Sequence, residues 1–274
     1  MRLSVCMAMK PDRVCFLDYS LPLYSRQIRQ SDDVELVVVE EVSDAPPQLE
    51  SSCKFRLLKV FSKVRWVQVD KRRMTSRDPA TVAVNISVRQ ASSDAVLITH
   101  PECLQLGTLS VALKDFRPDC ATYFETYKSD ATVYHNLPNP LFAPYFDLLT
   151  ADGVDNIPFV APWRPNCWFL MSALLSRQVF METGGLAEVL PGWGCVDDVF
   201  GWMLINRGIP ILINTRGKVI HLWHPMQEDS IPALEYAKNH QYCEYVRKRK
   251  ITRANIEREW GNESAIVKME DWTA

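Results

Sequence analysis

Apolar residues along the first hundred positions come in short, nearly continuous runs rather than in alternation. Leu3–Met9, Val34–Val39 (VELVVV), Val64–Val69 and Ala95–Thr99 (AVLIT) each read as a strand covered on both faces, the kind found in parallel sheets. Helical spacing falls between them, over Leu21–Gln30 and Pro79–Gln90, so strands and helices alternate. The order predicts an α/β fold. In an open sheet of this kind, ligands sit just past the carboxyl ends of the strands. Those ends carry Met9-Lys10-Pro11, then Glu40-Glu41-Val42-Ser43-Asp44, then Asp70, then His100-Pro101-Glu102. One rim would collect them all.

From Phe116 to Pro165 the pattern loosens, and prolines and aromatics crowd a span that reads as a binding segment or lid. Regular signals resume with a strand over Trp168–Ser172 and a short helix over Ser176–Thr183 that Gly184-Gly185 ends. A helix over Asp198–Arg207 is apolar on nearly every side and reads as core. Strands over Ile209–Thr215 and Lys218–Leu222 would flank a turn at Arg216-Gly217, and the tail from Pro232 reads as helical and polar. The expected organisation is a donor half over 1–115, a catalytic half over 116–230 and a helical tail over 231–274.

Composition narrows the function. Hydrophobic residues make up 47% of the 274, enough to close a core, and 31 Lys+Arg nearly balance 33 Asp+Glu, giving a net charge of -2. No general field draws in nucleic acid or an anionic membrane. The eight cysteines include no CxxC pair, so reduced thiols are expected. The first residues, MRLSVCMAMKPDR, hold only a short apolar stretch, and the expected location is the cytoplasm. The basic run Arg247–Lys250 is the one cue for a peripheral membrane or DNA contact, though such runs are more often a solvated helix face.

No GxxxxGK[ST] loop, GxGxxG turn or GxSxG elbow occurs, which argues against P-loop NTPases, nicotinamide dehydrogenases and serine hydrolases. What does occur is PGWGCVDDVFGWMLINRGIP at 191–210, preceded by Gly184-Gly185-Leu186. This stretch resembles the acceptor-side half of inverting GT-A glycosyltransferases of the galactosyltransferase and chondroitin-synthase types. There a Gly-Trp-Gly turn presents a Glu-Asp pair at the start of a buried helix. Aligned without a gap, the family's Glu falls on Val196 and its catalytic Asp on Asp197; a shift of one residue matches the pair to Asp197 and Asp198. Asp197 is the favoured base, with Asp198 the alternative, and Trp193 is placed to stack on a sugar.

The donor half resembles that of family 2-like members. VELVVVEEVSD is similar to their strand followed by two acids and a Ser, which implies nucleotide contacts from Glu40, Glu41 and Ser43, with Met9, Lys10 and Asp70 on the same rim. The helix ATVAVNISVRQ is similar to the segment where an Asn precedes the metal-bearing strand, pointing to Asn85 and Arg89 at the nucleotide. The resemblance implies a GT-A fold: a Rossmann-like, mostly parallel central sheet flanked by helices in a single compact domain. Where the family has Asp-x-Asp to hold a divalent metal, this chain has His100-Pro101-Glu102. Glu102 still offers oxygen, His100 suits Mn²⁺ better than Mg²⁺, and the family's later metal-binding His corresponds to His221, with His224 beside it.

The implied activity is transfer of a sugar from a nucleotide diphosphate sugar, a UDP-sugar first, to a glycan or other glycoconjugate acceptor. Lys10, Arg13, Arg216 and Lys218 would assist or replace the metal at the leaving diphosphate, and Arg216–Pro225 would close over the donor. The alternative is a catalytically degenerate GT-A module that binds nucleotide sugar or glycan; a DNA-modifying glycosyltransferase stands behind both.

Overall fold

The computed structural model describes residues 2–42, 47, 49–74, 79–131, 160–162, 172–191, 194–224, 233–257, 259–261 and 263–273. Four parallel strands open the chain: β1 (Arg2–Met9), β2 (Asp33–Glu41), β3 (Lys63–Val69) and β4 (Ala95–Thr99), set side by side as β3-β2-β1-β4. The helices α1 (Leu17–Gln27), α2 (Leu49–Leu58) and α3 (Pro79–Gln90) alternate with them. The crossovers cover both faces of the sheet. Leu3, Val5, Met7 and Met9 of β1 enter one core, while Cys6 and Ala8 enter the other. That double burial is why the apolar runs are continuous, since each fully buried Val or Leu contributes about 1.5–3 kcal/mol.

A second, mixed half extends the sheet beyond β4. It contains β5 (Cys103–Leu106), α4 (Thr108–Asp115), β6 (Ala121–Ser129), β7 (Val160–Pro162), β8 (Ala173–Ser176), α5 (Arg177–Glu182), α6 (Val196–Asn206) and β9 (Ile211–His221). Strand β8 runs antiparallel to β4 and to β6, and the order continues β8-β6-β9-β5. The chain ends with α7 (Ala233–Arg249) and β10 (Ile266–Thr273), the latter antiparallel on the outer edge of β3. Arg65 grips Asp271 through two hydrogen bonds of 2.7 and 2.9 Å, and Trp272 lies 5.0 Å from Trp66 between ring centroids. No helix among the described residues is long and apolar enough to cross a membrane.

Several expected elements differ. The helix expected over Leu21–Gln30 starts earlier, because Pro11 opens a 3-10 turn (Pro11–Phe16) that runs into α1. The strand expected over Trp168–Ser172 is β8, from Ala173, and 168–171 lie outside the described residues. Ile209–Thr215 and Lys218–Leu222 are not two strands around a turn but one strand, β9. The Asn214 side chain accepts from the amides of Arg216 and Gly217, and the bulge is absorbed against Phe124-Glu125 of β6. The helix at 196–206 is core only on one side: Ile205 is exposed, and Trp202 lies under the Arg247 guanidinium. Helix in the tail ends at Arg249, because the residues beyond it return to pack on Gly184-Gly185 and to build β10. The expected loose span from Phe116 begins with β6, an ordinary buried strand.

Candidate active site

Strand register assembles the site. Cys103, the first residue of β5, pairs with His221, the last of β9, and the Leu222 amide donates to the Glu102 carbonyl at 2.9 Å. Glu102 and His221 are therefore fixed side by side by the ladder. The Trp223 amide donates to the Ser129 hydroxyl at 2.9 Å, which turns the chain so that the His224 ring meets the His221 ring at 5.3 Å. The candidate ligand atoms of Glu102, His221 and His224 all lie within 4.8 Å of one another. Glu102 follows the carboxyl end of β4 and lies 4.0 Å from Arg13, which follows β1, at the strand ends where α/β sheets bind ligands.

Glu102 is 6% exposed, yet its hydrogen bonding is incomplete. One oxygen, Oε1, lies 3.6 Å from His100 Nδ1, 3.7 Å from His224 Nε2 and 4.0 Å from Arg13 Nη1. The other, Oε2, is buried without a partner, as are His100 Nε2 and Arg13 Nη1. Burial acts to raise the Glu102 pKa, but its hydrogen bond and attraction to His100, and then Arg13 and His221, outweigh burial and hold the carboxyl below its usual range. Burial, aided by His224, His100 and Arg13 and opposed by Glu102, pulls His221 down to about 4. Near neutral pH the cluster therefore presents a carboxylate beside a neutral His221, the protonation a metal ion needs. The orphaned Oε2 and the set of one carboxylate and two imidazoles fit a divalent ion of the Mn²⁺ class better than Mg²⁺.

The acid pair stands in the first turn of α6. Gly194 has φ +99°, and a Cβ there would come within 3.0 Å of Tyr236, so only glycine lets α7 pack on this turn. Asn239 of α7 donates to the Gly194 carbonyl at 3.2 Å. The N-cap, Cys195, is itself left-handed at φ 61°, and its carbonyl accepts the Val199 amide. Asp197 and Asp198 are both partly exposed. After burial, both raise the adjacent Cys195 thiol, and each also reaches one further thiol. After burial and Glu102, Asp197 contributes to the raised Cys103 thiol; after burial, Asp198 contributes to Cys243, pushed up to about 12. Asp197 thus lies within electrostatic reach of Cys103, the neighbour of Glu102, and Asp198 within reach of Cys243 of α7.

Other sequence-predicted residues are placed less favourably for a ligand. Glu40 is fully buried and accepts from the Trp66 indole at 2.9 Å and the Leu49 amide at 3.3 Å. Asp70 caps the 3-10 turn Lys71–Arg73 and takes both prongs of Arg72, while Glu41 sits 3.8 Å from Lys71. Asn85, with 0% exposure, spends both amide hydrogens on Leu186 and Glu188 and accepts the Leu186 amide, so its polar atoms brace the Gly184–Glu188 loop. Arg89 donates to the Trp260 carbonyl and stacks 5.1 Å over its ring. Met9 is core and Lys10 caps the 3-10 turn. Arg216 pairs with Asp115 and Lys218 with Glu125, and both belong to β9, so residues 216–221 are held in the sheet and are no flap. Ser43, Gly192 and Trp193 lie outside the described residues. In the run Arg247–Lys250, Arg247 and Lys248 share Glu244.

The roles of Tyr236, Asn239 and Ser129 were missing from the sequence reading. A polar residue on a helix face or at a strand end carries no local signal that it braces a distant turn.

No protein-family profile matches the chain, and no curated protein matches either. Solved structures do. TarS of S. aureus in complex with UDP-GlcNAc superposes with a TM-score of 0.60 at 12% identity, over 94% of this chain and 68% of that one. GalNAc-T7 with UDP, GalNAc and Mn²⁺ gives 0.56 at 12% identity, over 88% of this chain and 48% of that one. The catalytic domain of Drosophila beta1,4galactosyltransferase 7 in complex with xylobiose gives 0.51 at 12% identity, over 87% and 79%. The fold is that of GT-A glycosyltransferases.

Proposed function

We propose, from the GT-A fold as premise, that this chain transfers a sugar from a nucleotide diphosphate sugar, a UDP-sugar first, to a hydroxyl of a glycan acceptor with inversion. The observation that carries the reading is the meeting of Glu102, His221 and His224 past the end of β4, with Asp197 within electrostatic reach of the adjoining Cys103. Similar structures holding UDP, UDP-GlcNAc and Mn²⁺ support it.

Asp197 acts as the base. It takes the proton of the acceptor hydroxyl as that oxygen attacks the anomeric carbon, opposite the departing nucleotide diphosphate. The buried face of α6, with Val199, Phe200, Met203 and Leu204 in the core, gives the carboxylate a rigid mount in the first turn of the helix. Asp198, the neighbouring acid, is the alternative base. Glu102, His221 and His224 would hold a divalent ion of the Mn²⁺ class. When bound, that ion supplies charge neutralisation at the leaving diphosphate. Neutral His221 and ionised Glu102 keep the cluster ready without proton loss near neutral pH.

Calorimetric titration with nucleotides and nucleotide sugars in Mn²⁺, Mg²⁺ or EDTA tests this reading. A nucleoside diphosphate should bind, more tightly with Mn²⁺, and Glu102→Ala should remove the Mn²⁺ effect. A second reading, a module that binds nucleotide sugar without turnover, draws on Val196 in place of the family's Glu and on the inward commitment of Glu40 and Asn85. Binding with no transfer to any acceptor and no donor hydrolysis would favour it.

A further inference from the structure

Arg13 stands apart from the other cations on this rim. Its side chain is 11% exposed and follows β1 in the 3-10 turn, with Nη1 buried, lacking any hydrogen bond and 4.0 Å from Glu102 Oε1. On its other side Nε lies 3.5 Å from Asp12, whose side chain is 54% exposed. Glu102 is the single acid of the three candidate ligands, and the guanidinium already stands beside it. A divalent ion entering alone would be set close to that buried guanidinium in a place shielded from water, where cations repel strongly. An anion bridging the two cations offsets that repulsion, and a diphosphate suits a guanidinium with an unused, buried N–H.

We propose that Arg13 acts as a built-in counter-cation that keeps the Glu102–His221–His224 site poor in metal until a diphosphate arrives, so that metal and nucleotide load together. The inference rests on the reading of those three side chains as metal ligands. Arg13 is then a positioning residue with effects of opposite sign: it opposes the ion alone and favours the ion with diphosphate. By linkage, whatever factor UDP adds to Mn²⁺ affinity, Mn²⁺ must add to UDP affinity.

The test is Mn²⁺ binding, measured by calorimetry and by the paramagnetic signal of free Mn²⁺, with and without UDP. Wild type, Arg13→Gln, Arg13→Lys and Glu102→Gln are compared after thermal melts confirm folding. In wild type, UDP should tighten Mn²⁺ about tenfold or more, a coupling of about 1.4 kcal/mol. Arg13→Gln should bind Mn²⁺ alone about tenfold more tightly than wild type and lose most of the UDP enhancement, while Arg13→Lys keeps the weak binding of the ion alone. Equal Mn²⁺ affinity in Arg13→Gln and wild type, or full UDP enhancement without Arg13, overturns the inference and leaves the metal reading standing. Wild type that takes Mn²⁺ equally well with and without UDP overturns it with no variant needed. If UDP binds but neither wild type nor Arg13→Gln takes Mn²⁺ under any condition, or if Glu102→Gln binds Mn²⁺ unchanged, the metal assignment itself falls.

Discussion

Glu35 and Glu102 are both acids sunk into one apolar sheet, 3% and 6% exposed, at opposite ends of its strands. Glu35, near the amino end of β2, accepts from the Ser4 hydroxyl, the Ser92 amide and the Ser92 hydroxyl at 2.5–2.7 Å, and Ser4 in turn accepts the Ser93 amide. Its carboxylate is saturated by the chain itself and ties β1 and β2 to the start of β4. Glu102, past the carboxyl end of β4, leaves one oxygen without a partner and gathers two imidazoles and a guanidinium around the other. An unfilled hydrogen-bonding capacity in the interior costs stability, and at Glu102 it falls among the candidate metal ligands. The first acid holds the fold together; in the proposed reading the second holds a metal ion.

The contrast can be broken in four places. Asp197→Asn has the largest expected effect: loss of a general base lowers turnover about 10²–10⁴-fold at unchanged melting temperature. Asp198→Asn should cost less, and the reverse order in a transfer assay would exchange their roles. Next come the two buried acids. Glu35→Gln forfeits charge-assisted bonds that nothing replaces and should cost about 3 kcal/mol in urea denaturation. Glu102→Gln leaves the buried Arg13 guanidinium without its acid and should also lower metal-free stability, but unlike Glu35→Gln it should abolish the extra stabilisation by Mn²⁺ with UDP. Stabilisation by Mn²⁺ with UDP that survives in Glu102→Gln would erase the distinction drawn between the two acids.

The third break is acid. His221 has its pKa lowered from 6.5 to about 4, so the metal-free fold binds fewer protons there than the unfolded chain. Its contribution is fully present above pH 6.5 and is lost as pH falls toward 4, amounting to about 3 kcal/mol at its full extent. His221→Asn in EDTA should flatten the stability profile across that window, and an unchanged slope would show that His221 is not buried in its neutral form. The smallest effect belongs to Asp271, held down at about 2 by its hydrogen bonds to Arg65 and Lys63 against burial, with its side chain 42% exposed. Solvent screening limits this pin on β10: Asp271→Asn should cost under about 1 kcal/mol. The same loss should appear in wild type as pH falls from 3.8 toward 2.

Much of the fold is legible because β1 to β4 are short, nearly continuous apolar runs with helical spacing between them. Strand β10 was not, since IVKMEDWT pairs on one edge only and its polar alternation resembles a solvated tail. Strand β5 is four residues long and follows His100-Pro101-Glu102 so closely that it looked like part of that loop. Strand β9 was split in two because Asn214 to Gly217 spell a turn, and only the pairing with β6 reveals a bulge. In the site, the family resemblance points to His100, Glu102, His221 and His224 as metal ligands; the structure groups the last three, and the β5–β9 register sets Glu102 beside His221. Glu40 and Asn85 show the limit. A polar residue beside an apolar run looks the same whether it faces a nucleotide or, as Glu40 does, the indole of Trp66.

The most direct test of the account is UDP release from a panel of UDP-sugars in the presence of glycan acceptors, with wild type, Asp197→Asn and Glu102→Ala compared in Mn²⁺ and in EDTA. The account predicts UDP release from at least one donor that needs Mn²⁺, and loss of that release in Asp197→Asn although UDP still binds. Release that is indifferent to EDTA and survives in both variants would contradict it.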